Sequence, residues 1–190
     1  VNLTLAITAG FTVVGFLDDF LKIHRKENEG LKPYQKILFQ LAIASVAAVY
    51  CYMNGHTNLY VPFGGGLFFD IKWGIIPLVI FIFLATVNCV NLTDGLDGLA
   101  GGTSCAYLLV LPIMLSLQSA DFSVLCFIAA GAVGAFLVFN GSKASIFMGD
   151  TGSLALGGLI ACLSVFSGNS LYIPLLGIMF VISGISVILQ

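Results

Sequence analysis

Seven apolar runs alternate with short polar segments along the chain, at about residues 1–17, 37–53, 73–90, 102–117, 122–139, 154–167 and 171–190. Most of these runs approach the roughly 20 residues a helix needs to cross a bilayer, and the sixth is short. The expected fold is therefore all-α, a polytopic transmembrane helix bundle of about seven spans. Composition agrees, with 59% of the 190 residues hydrophobic and 8% charged, where soluble domains carry about 25% charged residues. With seven Lys and Arg against nine Asp and Glu, the chain has no basic patch and is expected to bind no nucleic acid.

The polar segments orient the bundle. Five of the seven basic residues, Lys22, Arg25, Lys26, Lys32 and Lys36, lie between the first two runs, so the positive-inside rule places that segment in the cytoplasm. Alternation then brings the segments at 88–102 and 140–153 to the same side. Residues 54–72 fall outside, where short runs flanking Gly64-Gly65-Gly66 predict a small β-hairpin. Trp73 reads as an interfacial anchor, and 118–121 as a short outer turn.

Within Asn88–Gly102, Asn88, Asn91, Asp94 and Asp97 recur every three residues and form one polar stripe on a helical turn. Such groups at a membrane helix end read as functional by default. Asp18, Asp19, Asp94, Asp97 and Asp150 all fall on one membrane face, with Lys22 and Lys36 among them. Carboxylate and amide oxygens suit Mg²⁺, and lysines with glycine-rich backbone suit phosphates. Each cluster also has a plainer reading: a helix-end salt bridge for Asp18, Asp19 and Lys22, a topogenic signal for the basic run, and a helix cap for Asp150. Their coincidence on one face favours the site.

The five cysteines, at 51, 89, 105, 126 and 162, are scattered and read as small apolar fillers. Only His24 and His56 are present, which argues against zinc. Residues 1–190 read as one integral-membrane domain and as an internal portion of a longer chain, because Val1 is not an initiator Met and Gln190 closes an apolar run.

Three stretches carry a resemblance: Gly15-Phe-Leu-Asp-Asp-Phe-Leu-Lys22 with Gly30, Leu31 and Lys36; Asn88-Cys-Val-Asn-Leu-Thr-Asp-Gly-Leu-Asp-Gly-Leu-Ala-Gly-Gly102; and Phe139-Asn140 with Ile146-Phe-Met-Gly-Asp-Thr-Gly-Ser-Leu-Ala-Leu-Gly-Gly158. In order and wording they resemble the cytoplasmic signatures of the polyprenyl-phosphate N-acetylhexosamine-1-phosphate transferases. The match is most similar to members that join UDP-N-acetylmuramoyl-pentapeptide to undecaprenyl phosphate, giving lipid I and UMP for peptidoglycan synthesis.

The resemblance implies a ten-helix, Mg²⁺-dependent enzyme of the bacterial inner membrane with a cytoplasmic site, and is compatible with a homodimer. It assigns Asp150 and Asn91 to Mg²⁺, Asp94 to the wall supporting the metal–diphosphate site, and Lys22 and Lys36 to phosphate groups. Gly95, Leu96 and Asp97, with Phe147 stacking and Asn140 nearby, would form a uridine pocket. Asp18 and Asp19 would face the lipid phosphate. The chain departs from the family at Lys143, where Pro is common, and in lacking a histidine-rich loop and further helices. A sibling transferase using UDP-N-acetylglucosamine and an ion-coupled transporter are the alternatives; the second would place acids near the midplane and repeat its halves.

Overall fold

The structure, a computed structural model, describes residues 1–25, 30–115 and 120–189. Residues 26–29, Gln118 and Ser119 of the expected outer turn at 118–121, and Gln190 lie outside the described residues. Helices α1 (Asn2–Arg25) and α2 (Pro33–Met53) lead into a hairpin of β1 (Asn58–Tyr60) and β2 (Phe68–Asp70). Then follow α3 (Ile75–Thr93), α4 (Leu99–Leu115), α5 (Ala120–Asn140), α6 (Gly149–Phe166), α7 (Ile173–Leu176) and α8 (Ile178–Leu189). Among the described residues five helices, α1, α2, α3, α5 and α6, are long and apolar enough to cross a membrane, and a bent pair brings the total to six. The chain is a multi-pass membrane bundle.

α6 is the axis of that bundle. From Leu159 to Phe166 every residue is buried, as expected of a helix enclosed on all sides. It contributes Leu154, Ala161, Cys162 and Val165 to a core shared with α1, α2 and α3, and Leu159, Ile160 and Leu163 to a second core shared with α4 and α5. Close approach depends on small residues, since helices in lipid gain little from hydrophobicity and associate through packing. A Cβ added at Gly157 would stand 2.7 Å from the Val87 Cα of α3. One at Gly15 of α1 would collide with the Asp150 carbonyl.

The structure corrects several sequence-derived boundaries. The first helix does not stop at Asp18-Asp19 but continues to Arg25. The sixth run gains its length from a polar first turn, Gly149-Asp-Thr-Gly-Ser153, so Asp150 lies in a helix rather than a loop. The described part of the fourth helix, Leu99–Leu115, begins three residues before the expected span and contains Pro112, while 116–117 lie outside the described residues. The seventh run is not one helix: Ser170–Leu176 and Ile178–Val187 meet at 74° across Gly177.

The hairpin pairs antiparallel, Asn58 with Asp70 and Tyr60 with Phe68. It docks at the far end of α6, where Tyr60 N–H donates to the Gly168 carbonyl at 2.9 Å and Phe63 N–H to the Tyr172 hydroxyl at 3.1 Å. The polar ends of α1, α3 and α6 gather at the other end.

Gly157→Ala should cost about 1–3 kcal/mol of stability, because its Cβ meets backbone that cannot yield. Gly131→Ala, which faces open space on α5, should cost nothing. Thermal unfolding in detergent compares them, and equal midpoints would contradict the close α3–α6 approach.

Candidate active site

Asp150 is the point on which four helices converge. Its Oδ2 accepts from Lys22 Nζ of α1 at 2.8 Å and from Lys36 Nζ of α2 at 2.9 Å. Its Oδ1 accepts from Asn91 Nδ2 of α3 at 2.6 Å, and the same nitrogen lies 2.8 Å from Ser153 Oγ, one turn along α6. Two cations and an amide thus compensate one carboxylate at the membrane boundary, as a charge there requires.

Asp18 and Asp19 complete the arrangement in different ways. Asp18 is buried, with Lys22 Nζ 2.6 Å from its Oδ2, and its Oδ1 accepts from Leu31 N–H at 2.8 Å. Gly30 fits there because a Cβ would press on Asp18. Asp19 caps α6 from a neighbouring helix: Asp150 N–H donates to Oδ1 at 3.2 Å, and Thr151 N–H and Oγ1–H donate to Oδ2 at 2.8 and 2.6 Å. These amides are among the donors a helix start leaves unpaired, and a carboxylate there also meets the positive end of the helix dipole. Gly149 takes φ +63°, a left-handed conformation that glycine adopts freely, and a Cβ there would lie 2.9 Å from Asp19.

Carboxylate oxygens of Asp18, Asp19 and Asp150 lie within 4.8 Å of one another. Oxygen ligands of Mg²⁺ at 2.0–2.1 Å can stand up to about 4.2 Å apart, so a small contraction or one bridging water adapts the trio to such an ion. The donor chemistry fits. Asn91 is oriented differently from its expected role, because it presents its amide nitrogen to Asp150 and would have to turn its oxygen inward to act as a ligand.

Beside this cluster, a cavity of about 210 Å³ is lined by Asp94, Gly95, Leu96, Asp97, Asn140, Phe147, Met148 and Gly149. It unites the residues expected to receive a nucleoside, but in unequal parts. Phe147 is 74% exposed, leaving its ring face open for stacking. Asn140 is buried and committed at both ends, accepting from Gly98 N–H at 3.0 Å and donating to the Ile146 carbonyl at 2.8 Å. It therefore ties the α3–α4 turn to the α5–α6 loop. Asp97 Oδ2 braces that loop too, accepting from Ala144 N–H at 3.1 Å. Lys143 adopts φ +66°, which a proline cannot reach.

Asn88 does not reach the cluster and pairs with Gln40 inside the bundle. Thr151, Ser153 and Gln40 were not singled out from the sequence. The first two lie within Gly149–Ser153, whose hydroxyls are the missed signal; the third is an amide one turn from Lys36 in an apolar helix.

Residues 1–168 match the family model described as "Glycosyl transferase family 4". The chain is similar to the phospho-N-acetylmuramoyl-pentapeptide-transferase of Bacillus subtilis, 44% identical over 190 residues that cover 99% of this chain and 58% of that protein. The proteins of the same name from Bacillus cytotoxicus and Bacillus pumilus are both 42% identical, covering 100% and 99% of this chain and 59% and 58% of their own lengths. The chain thus spans less than two thirds of the length of these relatives.

The Asp94 carboxyl is pushed up from 3.8 to about 6, first by desolvation and then by the charges of Asp150 and Asp19. Between those values the folded protein holds a proton that the unfolded chain releases, so stability from this group is lost as pH rises from about 4 through 6. Asp94→Asn should therefore raise the unfolding midpoint at pH 7.5 and leave it nearly unchanged at pH 4. A gain of the same size at both pH values would contradict the crowding of these acids.

Proposed function

The chain belongs to glycosyl transferase family 4, and on that premise we propose that it forms the site-bearing part of a phospho-N-acetylmuramoyl-pentapeptide-transferase. The reaction joins the phospho-sugar of UDP-N-acetylmuramoyl-pentapeptide to undecaprenyl phosphate, giving lipid I and UMP. The observation that carries this reading is the convergence of Lys22, Lys36 and Asn91 on Asp150 beside the cavity bearing Phe147. The identity to relatives of that name supports it.

In this reaction an oxygen of the lipid phosphate attacks the sugar-linked phosphorus of the nucleotide. A new P–O bond forms, the P–O bond to the departing UMP breaks, and UMP takes the bonding electrons. Asp150 with Asp18 or Asp19 would hold Mg²⁺, which would supply positive charge against the joined phosphates. Lys22 and Lys36 have flexible stems that let their ammonium groups turn from Asp150 to phosphate oxygens, offsetting the repulsion between two anions. A phosphate monoester with a second pKa near ~6 is mostly dianionic at neutral pH, so its nucleophilic oxygen needs no further deprotonation. Asp19 holds the start of α6, and with it Asp150, in place. Phe147 receives the uracil face and Asp97 fixes the loop that carries that ring.

The site faces the cytoplasm in this reading, and the protein lies in the bacterial inner membrane. Lys22, Arg25, Lys32, Lys36 and Lys143 fall at the site end, and Lys72 falls at the hairpin end. Cysteines placed at Asn58 and Arg25 in a cysteine-free background should label from outside the cell at Asn58 only. Labelling at Arg25 alone would reverse the orientation.

The full-length protein, given UDP-N-acetylmuramoyl-pentapeptide, undecaprenyl phosphate and Mg²⁺, should release UMP with lipid I. Phe147→Ala should weaken nucleotide binding roughly ten- to a hundredfold, since stacking contributes about 1–3 kcal/mol per base. Absence of UMP release by the intact protein would overturn the function, and unchanged UDP affinity in Phe147→Ala would overturn the placement of uracil.

A further inference from the structure

Asn88 opens the polar stripe of the sequence, and nothing in the proposed chemistry uses it. Its partner is Gln40, a fully buried amide on α2. Asn88 Nδ2 donates to Gln40 Oε1 at 2.7 Å, and Gln40 Nε2 faces Asn88 Oδ1 at 3.4 Å. The Asn88 nitrogen also donates to the Leu84 carbonyl at 2.7 Å, which fixes its own rotamer.

The position of this pair gives it a consequence. Gln40 lies one helical turn from Lys36 and Asn88 lies one turn from Asn91, so the clasp sits directly beneath the groups that reach opposite oxygens of Asp150. The rest of the buried face of α2 is Ala44, Ala47, Ala48 and Cys51. Small side chains let helices approach closely but resist rotation or sliding weakly, and lipid supplies no hydrophobic force to hold one arrangement. A paired amide does resist, because turning either helix leaves buried donors and acceptors without partners. Buried polar pairs are best attested in this role of fixing register.

We propose that the Gln40–Asn88 pair is a positioning device that sets the rotation and register of α2 against α3, so that Lys36 and Asn91 meet Asp150 together. Neither residue touches the reacting atoms. The inference rests on the proposed function only where Lys36 is taken to bind phosphate, and one arm of its test is independent of that.

The independent arm is amine labelling of the full-length protein in detergent, read by mass spectrometry as the ratio of Lys36 to exposed Lys72. The Lys36 side chain is 17% exposed. In Gln40→Leu, and in Gln40→Leu with Asn88→Leu, which leaves no unpaired amide, Lys36 should label severalfold faster. The exchanged pair, Gln40→Asn with Asn88→Gln, should return it close to the parent rate. Cys162, fully buried on α6, should stay unreactive in all of them. Unchanged Lys36 labelling in the double-leucine variant would overturn the proposal. So would reactive Cys162 in every variant, since the pair would then hold the whole fold.

The second arm is UDP binding with Mg²⁺. Gln40→Leu should weaken it roughly fivefold, and the same substitution should have no effect in a Lys36→Met background, the non-additivity expected of groups acting through one another. Equal losses in both backgrounds would overturn the proposal. If the parent protein fails to bind UDP while the labelling follows the stated pattern, the nucleotide reading falls and the clasp stands.

Discussion

Asp150 lies in the first turn of α6 with its side chain largely enclosed, and a carboxylate so placed persists only with partners that replace water. Lys22, Lys36 and Asn91 supply them from α1, α2 and α3, so one charge gathers four helices at one end of the bundle. Asp19 adds the converse interaction, in which a carboxylate of α1 satisfies the unpaired amides at the start of α6. α1 and α6 are therefore joined by charge in both directions. The glycines at 15 and 149 allow the backbones to come close enough for both. Packing and charge act on the same contacts here: whatever separates α1 from α6 also takes apart the site.

That arrangement has an energetic cost, which falls on the acids not directly paired. Asp94 stands at the end of α3, and burial first, then the charges of Asp150 and Asp19, raise its pKa. Four carboxylates drawn together with two lysines form a site whose stability is limited by its own charge, as expected where function rather than folding sets the residue types. The cavity beside it has a different character. Its loop is braced by Asn140 and Asp97, while the Phe147 ring is held out at the surface. In the proposed reaction the charged cluster handles phosphates and the exposed ring handles the base.

Much of this was legible in the sequence because it is set by composition and spacing. The apolar runs announced the bundle, the glycines at 64–66 announced the hairpin, and the acids between runs marked one face. What escaped depends on geometry that spacing does not carry. The stripe from Asn88 to Asp97 assumes one continuous turn, yet α3 ends at Thr93 and Gly98 turns the chain, so its four members take four separate roles. Asp150 read as a loop residue because its first turn is polar, and the cap that Asp19 places on that turn comes from 131 positions away. Gln40 was missed because a single amide in an apolar run announces no partner. The bend at Gly177 likewise needs the packing around Phe180 to be seen.

The central claim is that Asp150 is the charge on which the site is built. Titration with Mn²⁺, a paramagnetic stand-in for Mg²⁺, tests it through loss of the free-ion resonance signal. The full-length protein should bind the ion, Asp70→Asn at the hairpin end should bind it equally well, and Asp150→Asn should bind it at least about tenfold more weakly, the scale of a change of 1.4 kcal/mol. Undiminished Mn²⁺ affinity in a folded Asp150→Asn protein would contradict the account.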